Sequence, residues 1–209
     1  MIKPTWEPMI FVVSAPSGAG KTTLCDRLKA EFANLHYATT TTTRPARHGE
    51  INGKSYYFLA EAEFEQTLKA GDFFETAVVH GHRYGSPKKP VIEALRSGKD
   101  VLMNLDVQGA ARLRECVRRA PPGDPLRCEL IDIFVVPPSL EILKKRLEKR
   151  GKDSEAEVQR RLRIAEEEIS HWREYKYMVV NDDLAEAYDN MRAIILAERH
   201  RIRPSEGKR

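Results

Sequence analysis

The sequence predicts an α/β fold built on a parallel sheet, and two observations carry that prediction. Short apolar, β-branched runs alternate with helical patterns along the chain, the order that crossover helices between parallel strands produce. The first such run, IFVV from Ile10, breaks into the small-residue loop 15–20 and then into a helical pattern over 22–29. That order turns backbone N–H groups and a helix's positive end toward one point. An anion belongs there.

The elements follow in order. Val12 and Val13 read as a buried parallel strand. From Tyr37 the chain runs through five consecutive threonines, Thr39 to Thr43, into Arg44, Arg47 and GEINGKSYYF, a region of strand and turn residues. A short helix over 64–70 and a strand over 73–79 come next. GHRYGSP, with two glycines and a proline, reads as a loop before a helix over 89–97. The whole stretch reads as an insertion between core elements. Core pattern resumes with a strand at 100–105, a helix at 109–118, a strand at 130–136 closed by Pro137-Pro138, and a helix at 140–149. APPGDPLRC, from Ala120, has three prolines and no periodicity, so it reads as an exposed loop. Residues 149–168 carry Arg150, Arg160, Arg161 and Arg163 among acidic side chains, the pattern of a solvated amphipathic helix with i,i+4 pairs. A last strand at 177–180 leads through Asn181-Asp182-Asp183 to a terminal helix over 184–199 and a basic tail.

Composition narrows the function. The 209 residues are 41% hydrophobic and 32% charged, ordinary for one soluble globular domain. A net charge of +4 falls short of the basic stripe of a nucleic-acid binder and fits small phosphorylated ligands better. No apolar run is long enough for a membrane span, and MIKPTWEPM lacks the basic and apolar regions of a leader, so a cytoplasmic location is expected. Cys25, Cys116 and Cys128 show neither a disulfide framework nor zinc spacing. His80 and His82 form an H-x-H pair with no third ligand at metal spacing.

The loop carries the chemistry. Ala15, Pro16, Ser17, Gly18, Ala19, Gly20, Lys21, Thr22 and Thr23 make a Walker A loop with Ala15 where its first glycine usually stands. In that reading Lys21 reaches the β and γ phosphates of a nucleoside triphosphate, and the Thr22 hydroxyl is the metal ligand for the Mg²⁺ that bridges them. An isolated G-K-[ST] arises by chance in roughly one chain in ten of this length. The strand before the loop and the helix after it make chance far less frequent.

The order P-loop, TTR-x-x-R-x-GE-x-NG, YGS, L-x-VQG, PP-S and R-x-x-x-RG resembles guanylate kinase, which moves a phosphoryl group from ATP to GMP. The resemblance implies a P-loop NTPase-type core (1–36, 90–139 and 171–209), a mixed α/β GMP-binding insertion (37–89) and a helical lid (140–170), all in one domain. It assigns Arg44, Arg47, Tyr56 and Tyr84 to the GMP phosphate, where guanidinium forks suit phosphate oxygens. Glu75 matches the carboxylate on the guanine edge, with Thr40, Ser86 and Asp106 at the other base-contacting positions. Lys21, Arg44, Arg150 and Arg161 match the groups that converge on the transferring phosphate, and Arg146 joins them; Asn181 resembles a residue near adenine. Asn104 stands where the family often has an acid. The partners implied are ATP and GMP, with dGMP left open, Mg²⁺ as cofactor, and neither nucleic acid nor membrane. The sequence does not set an oligomeric state. Two rival readings are a non-catalytic module of the same fold that binds proteins and a related kinase for a phosphorylated sugar. Intact Lys21, Thr22, Arg150 and Arg161 argue against the first, and the guanine-directed set argues against the second.

Overall fold

The computed structural model describes residues 7–79, 81–149 and 154–202. In chain order the elements are β1 (Met9–Ser14), α1 (Lys21–Glu31), β2 (Leu35–Tyr37), β3 (Thr41–Thr42), β4 (Tyr57–Phe58), α2 (Glu61–Lys69), β5 (Phe73–Val79), β6 (His82–Pro87), α3 (Lys88–Arg96), β7 (Asp100–Asn104), α4 (Val107–Arg119), β8 (Glu129–Val136), α5 (Leu140–Lys149), α6 (Glu155–Ser170), β9 (Tyr177–Val180) and α7 (Leu184–His200). They form two sheets. Five strands in the order β2-β7-β1-β8-β9 pair in parallel, and four in the order β4-β3-β6-β5 form a smaller mixed sheet.

Alternation along β1 decides how the large sheet is covered. Phe11 and Val13 face Leu24 and Leu28 of α1 and Met191 and Ile195 of α7. Ile10 and Val12 face Val91 and Leu95 of α3 and Leu113 of α4. All these side chains are buried. With both faces covered, β1 reads as an unbroken apolar run, as a central parallel strand should. Its C-terminal edge is where loops and helix N-termini gather, the usual place for a ligand in an open α/β sheet. A third apolar cluster, Leu143, Leu147, Val158 and Ala165, joins α5 to α6.

The expected loop at GHRYGSP is instead β6, an inner strand of the small sheet. Gly81, at φ 80°, turns the chain, and Ala77 pairs with Tyr84 and Thr76 with Gly85. Gly85 is there for space: a Cβ on it would lie 2.9 Å from the Phe73 ring. A glycine that reads as a loop signal thus marks a close approach inside a strand. The helix expected over 64–70 starts three residues earlier, because the Glu63 carboxylate accepts the Ala60 N–H at 2.9 Å. The charged stretch at 149–168 is interrupted: α5 ends at Lys149, and α6 is a separate helix capped by Ser154, whose Oγ accepts the Glu157 N–H at 3.3 Å. His80 and Arg150 lie outside the described residues. No described helix is long and apolar enough to cross a membrane.

Candidate nucleotide site

The loop between β1 and α1 is shaped by two glycines in the left-handed region, Gly18 at φ 95° and Gly20 at φ 94°. Each is also packed against a side chain from elsewhere. A Cβ on Gly18 would lie 2.9 Å from Leu143 Cδ1 of α5, and one on Gly20 would lie 2.2 Å from Asn181 Nδ2. Asn181 is buried and donates from Nδ2 to the Ala19 carbonyl at 2.6 Å. One of its two amide N–H groups is therefore committed to the loop. Ala15 and Ala19 are buried in the cluster beneath the loop. A turn bond from the Ala19 N–H to the Pro16 carbonyl closes the loop at 3.1 Å.

Lys21 opens α1, and its Nζ donates to the Leu105 carbonyl, 2.9 Å away, just past the end of β7. Burial holds its pKa below the ordinary lysine value, against the opposing pull of Asp106, Glu168 and Glu75. Thr22 and Thr23, in the first turn of α1, are exposed. Glu168 is a residue that motif reading missed. It approaches the loop at Ser17 from α6, and burial raises its pKa while Lys21 works the other way. Nothing in the sequence near Glu168 signals this, because the contact joins residues far apart in the chain.

A cleft of about 810 Å³ runs from Lys21 and Thr22 to the small sheet, lined there by Thr40, Tyr56, Glu75, Tyr84 and Asp106. A nucleotide fits such a volume. Within the cleft Ser86 Oγ donates to Glu75 Oε1 at 2.7 Å, and burial lifts the Glu75 carboxyl above the ordinary carboxylate range. Asp106 caps α4, its Oδ1 accepting the Gly109 N–H at 2.7 Å. The absence of a side chain on Gly109 lets β5 come close, since a Cβ would lie 3.2 Å from Glu75 Cγ. Asn104 Nδ2 donates to Tyr37 Oη at 3.4 Å, and burial pushes the Tyr37 hydroxyl up to about 12.

Tyr56 and Tyr84 meet edge to face with ring centroids 6.0 Å apart, and the Arg44 guanidinium lies 5.4 Å from the Tyr56 ring centroid. Arg44, Arg47 and Ser86 are not lining residues themselves. Each is bonded to a residue that does line the cleft, Ser86 to Glu75 and the two arginines to Glu50. Glu50 is the second residue missed, although an acid three places after Arg47 in a glycine turn was a readable signal.

Arg146 and Arg161, expected to converge on the phosphates, are elsewhere in this structure. Arg161 on α6 pairs with Glu157, 3.2 Å away, and Arg160 chiefly, with Arg161, holds the Glu157 carboxyl down at about 2. Arg146 on α5 donates to the Asp182 carbonyl at 3.2 Å. Neither lines the cleft.

Comparison with known proteins agrees with the geometry. A family model described as guanylate kinase matches residues 7–198. The chain is similar to a guanylate kinase of Carboxydothermus hydrogenoformans, 42% identical over 91% of this chain and 89% of that one. One from Maricaulis maris is also 42% identical, over 91% of this chain and 84% of that one. Among solved structures, guanylate kinase from Anaplasma phagocytophilum matches with TM-score 0.72 and 32% identity, covering 94% of this chain and 89% of that one.

Proposed function

The chain belongs to the guanylate kinase family, and from that premise we propose how its residues move the γ-phosphoryl group of ATP onto GMP. The observation that carries the proposal is one cleft with the loop lysine at one end and a hydrogen-bonded, half-buried carboxylate at the other. ATP lies along residues 15–23, its phosphates meeting backbone N–H groups and the positive end of α1. To reach the β and γ phosphates, Lys21 exchanges the Leu105 carbonyl for phosphate oxygens. Asn181 serves ATP through the loop it holds. GMP places its base against Glu75, with Ser86, Thr40 and Asp106 around it, and its phosphate toward Arg44, Arg47, Tyr56 and Tyr84.

Guanine offers N1–H and an amino group on one edge, and Glu75 accepts from both. Adenine offers neither donor there, so a buried carboxylate facing it is left unpaired. The acceptor oxygen of GMP then attacks the γ phosphorus as the bond to the ADP oxygen breaks, and no covalent step by the protein is needed. Charge neutralisation is what the protein supplies.

The donor set suits Mg²⁺. Thr22 presents an exposed hydroxyl at the first turn of α1. Among the described residues no group of three His, Cys, Asp or Glu side chains could hold an ion alone. Thr22 and phosphate oxygens would therefore hold it, the hard oxygen ligands this cation takes. When bound, it offsets charge on the phosphates. We place the enzyme in the cytoplasm, where its three free thiols remain reduced.

Residues 140–170 act as a lid in this reading. Arg161 leaves Glu157 to meet the reacting phosphates, together with Arg146 and Arg150, and closure excludes water. Arg161→Ala lowers kcat about tenfold and leaves the dissociation constant of GMP within about twofold, because the charge acts in the closed complex. Turnover and calorimetry on the same variant check it; an equal loss in both would place Arg161 in the ground-state site. The acceptor itself is settled by ADP release measured with GMP, AMP, CMP and UMP in parallel. GMP alone supports rapid release, and equal rates on all four would overturn the base-directed assignments.

A further inference from the structure

Arg44 is nearly buried, and its five N–H groups can be accounted for one by one. Nη1 donates to the Pro45 carbonyl at 2.7 Å and to Glu50 Oε2 at 3.0 Å, while Nη2 donates to Glu50 Oε1 at 2.8 Å. Glu50 thus takes the end of the guanidinium as a fork. The remaining Nε–H and second Nη2–H lie along the side edge, a second fork of the shape that phosphate oxygens fit. The guanidinium is packed beside two aromatic rings, 5.4 Å from the centroid of Tyr56 and 5.9 Å from that of Phe58. Glu50 is anchored in turn: its Oε2 accepts the Arg47 N–H at 2.7 Å, and its own N–H donates to the Arg47 carbonyl at 3.0 Å.

We propose that Glu50 is a positioning residue for the acceptor phosphate, a strut that holds the side edge of Arg44 toward the cleft and ties it to the Arg47 turn. The proposal rests on the reading of Arg44 as a phosphate ligand. Electrostatics and geometry make opposite predictions here. A carboxylate lining the cleft repels an incoming phosphate, so by charge alone its removal tightens GMP binding. As a strut its removal weakens binding, since a long side chain freed to sample other rotamers must be ordered again by the ligand. Because the fork to Glu50 takes only the end of the guanidinium, and Tyr84, itself placed at the phosphate, is the other side chain that hydrogen-bonds Arg44, the ion pair persists when phosphate arrives.

The test compares GMP with guanosine, which shares the base and lacks the phosphate. Glu50→Gln weakens GMP binding by calorimetry at least about fivefold, while the inhibition constant of guanosine stays within about twofold. Glu50→Asp recovers part of the loss. In an Arg44→Ala background Glu50→Gln adds less than about twofold, because the two residues act as one unit. Tighter GMP binding in Glu50→Gln would make the carboxylate a placeholder that phosphate displaces, and equal losses for GMP and guanosine would make it merely structural; either overturns the strut. Arg44→Ala alone separates this failure from that of the underlying reading. If that variant binds GMP as wild type does, the phosphate site is elsewhere and Glu50 has nothing to aim.

Discussion

Lys21→Ala lowers kcat by at least about a thousandfold, the upper part of the range for removing one preorganised charge from a reacting centre. The physical reason lies in what the ammonium leaves behind and what nothing replaces. The ammonium donates to the Leu105 carbonyl, and removing that bond costs about 1 kcal/mol of stability. A carbonyl at the edge of a cleft can turn to water for its partner. The γ phosphate has no such substitute once the cleft is closed. Thermal midpoint and turnover measured on one preparation separate the two effects: the midpoint moves by a few degrees, and turnover all but vanishes. A variant that keeps a tenth of wild-type kcat would remove Lys21 from the reacting phosphates.

Glu75→Gln lowers the ratio of kcat/KM for GMP over AMP by about ten- to a hundredfold, or about 1.4 to 2.8 kcal/mol. A carboxylate accepts from both the N1–H and the amino group of guanine. A carboxamide has one oxygen to offer and turns a donor toward the second guanine donor. Arg44 and Arg47, held by Glu50 and proposed to meet the phosphate, are untouched, so both acceptors keep that part of their binding. The same residue has a pH signature. Burial raises its pKa above the ordinary carboxylate value, so the ionised form is lost as pH falls while ordinary carboxylates remain charged. The ratio for the wild type therefore declines on the acid side, and the ratio for Glu75→Gln stays flat. Taking the ratio cancels the titration of the nucleotide phosphate, which GMP and AMP share. Steady-state kinetics across pH decides it: an unchanged ratio at neutral pH would mean that Glu75 does not read the base.

The parts of this molecule that were legible in sequence are those whose causes are local. A strand, a loop of small residues and a helix start follow one another in 14 residues (Met9 through Thr22), and each carries its own signal. The strands at β5 and β9 and the helix α5 likewise match the residue pattern end to end. Illegible features have distant causes. Gly85 sits in a strand because the Phe73 ring covers it. Glu168 meets the loop only because α6 folds back across it. Asn181 reads as a turn residue, and its bond to Ala19 depends on β9 ending beside β8. Glu50 is an intermediate case. Its partners are close in sequence, but the fork to Arg44 appears only when the side chains are placed.

The two sheets share no strand pairing, and the chain passes between them at two places: after β2, which ends at Tyr37, and from β6 into α3 at Pro87 and Lys88. Thr40 lies on the first crossing and Ser86 on the second, with Glu75 hydrogen-bonded to Ser86 and pressed against Gly109 of α4. The residues assigned to the base therefore sit at the pivot of any rotation of the small sheet, where a given angle moves an atom least. Arg44, Arg47 and Tyr56 lie farther out along the lever arm. A rotation about those crossings would carry them through the larger arc, leaving the residues proposed for the base nearly stationary and moving those proposed for the phosphate.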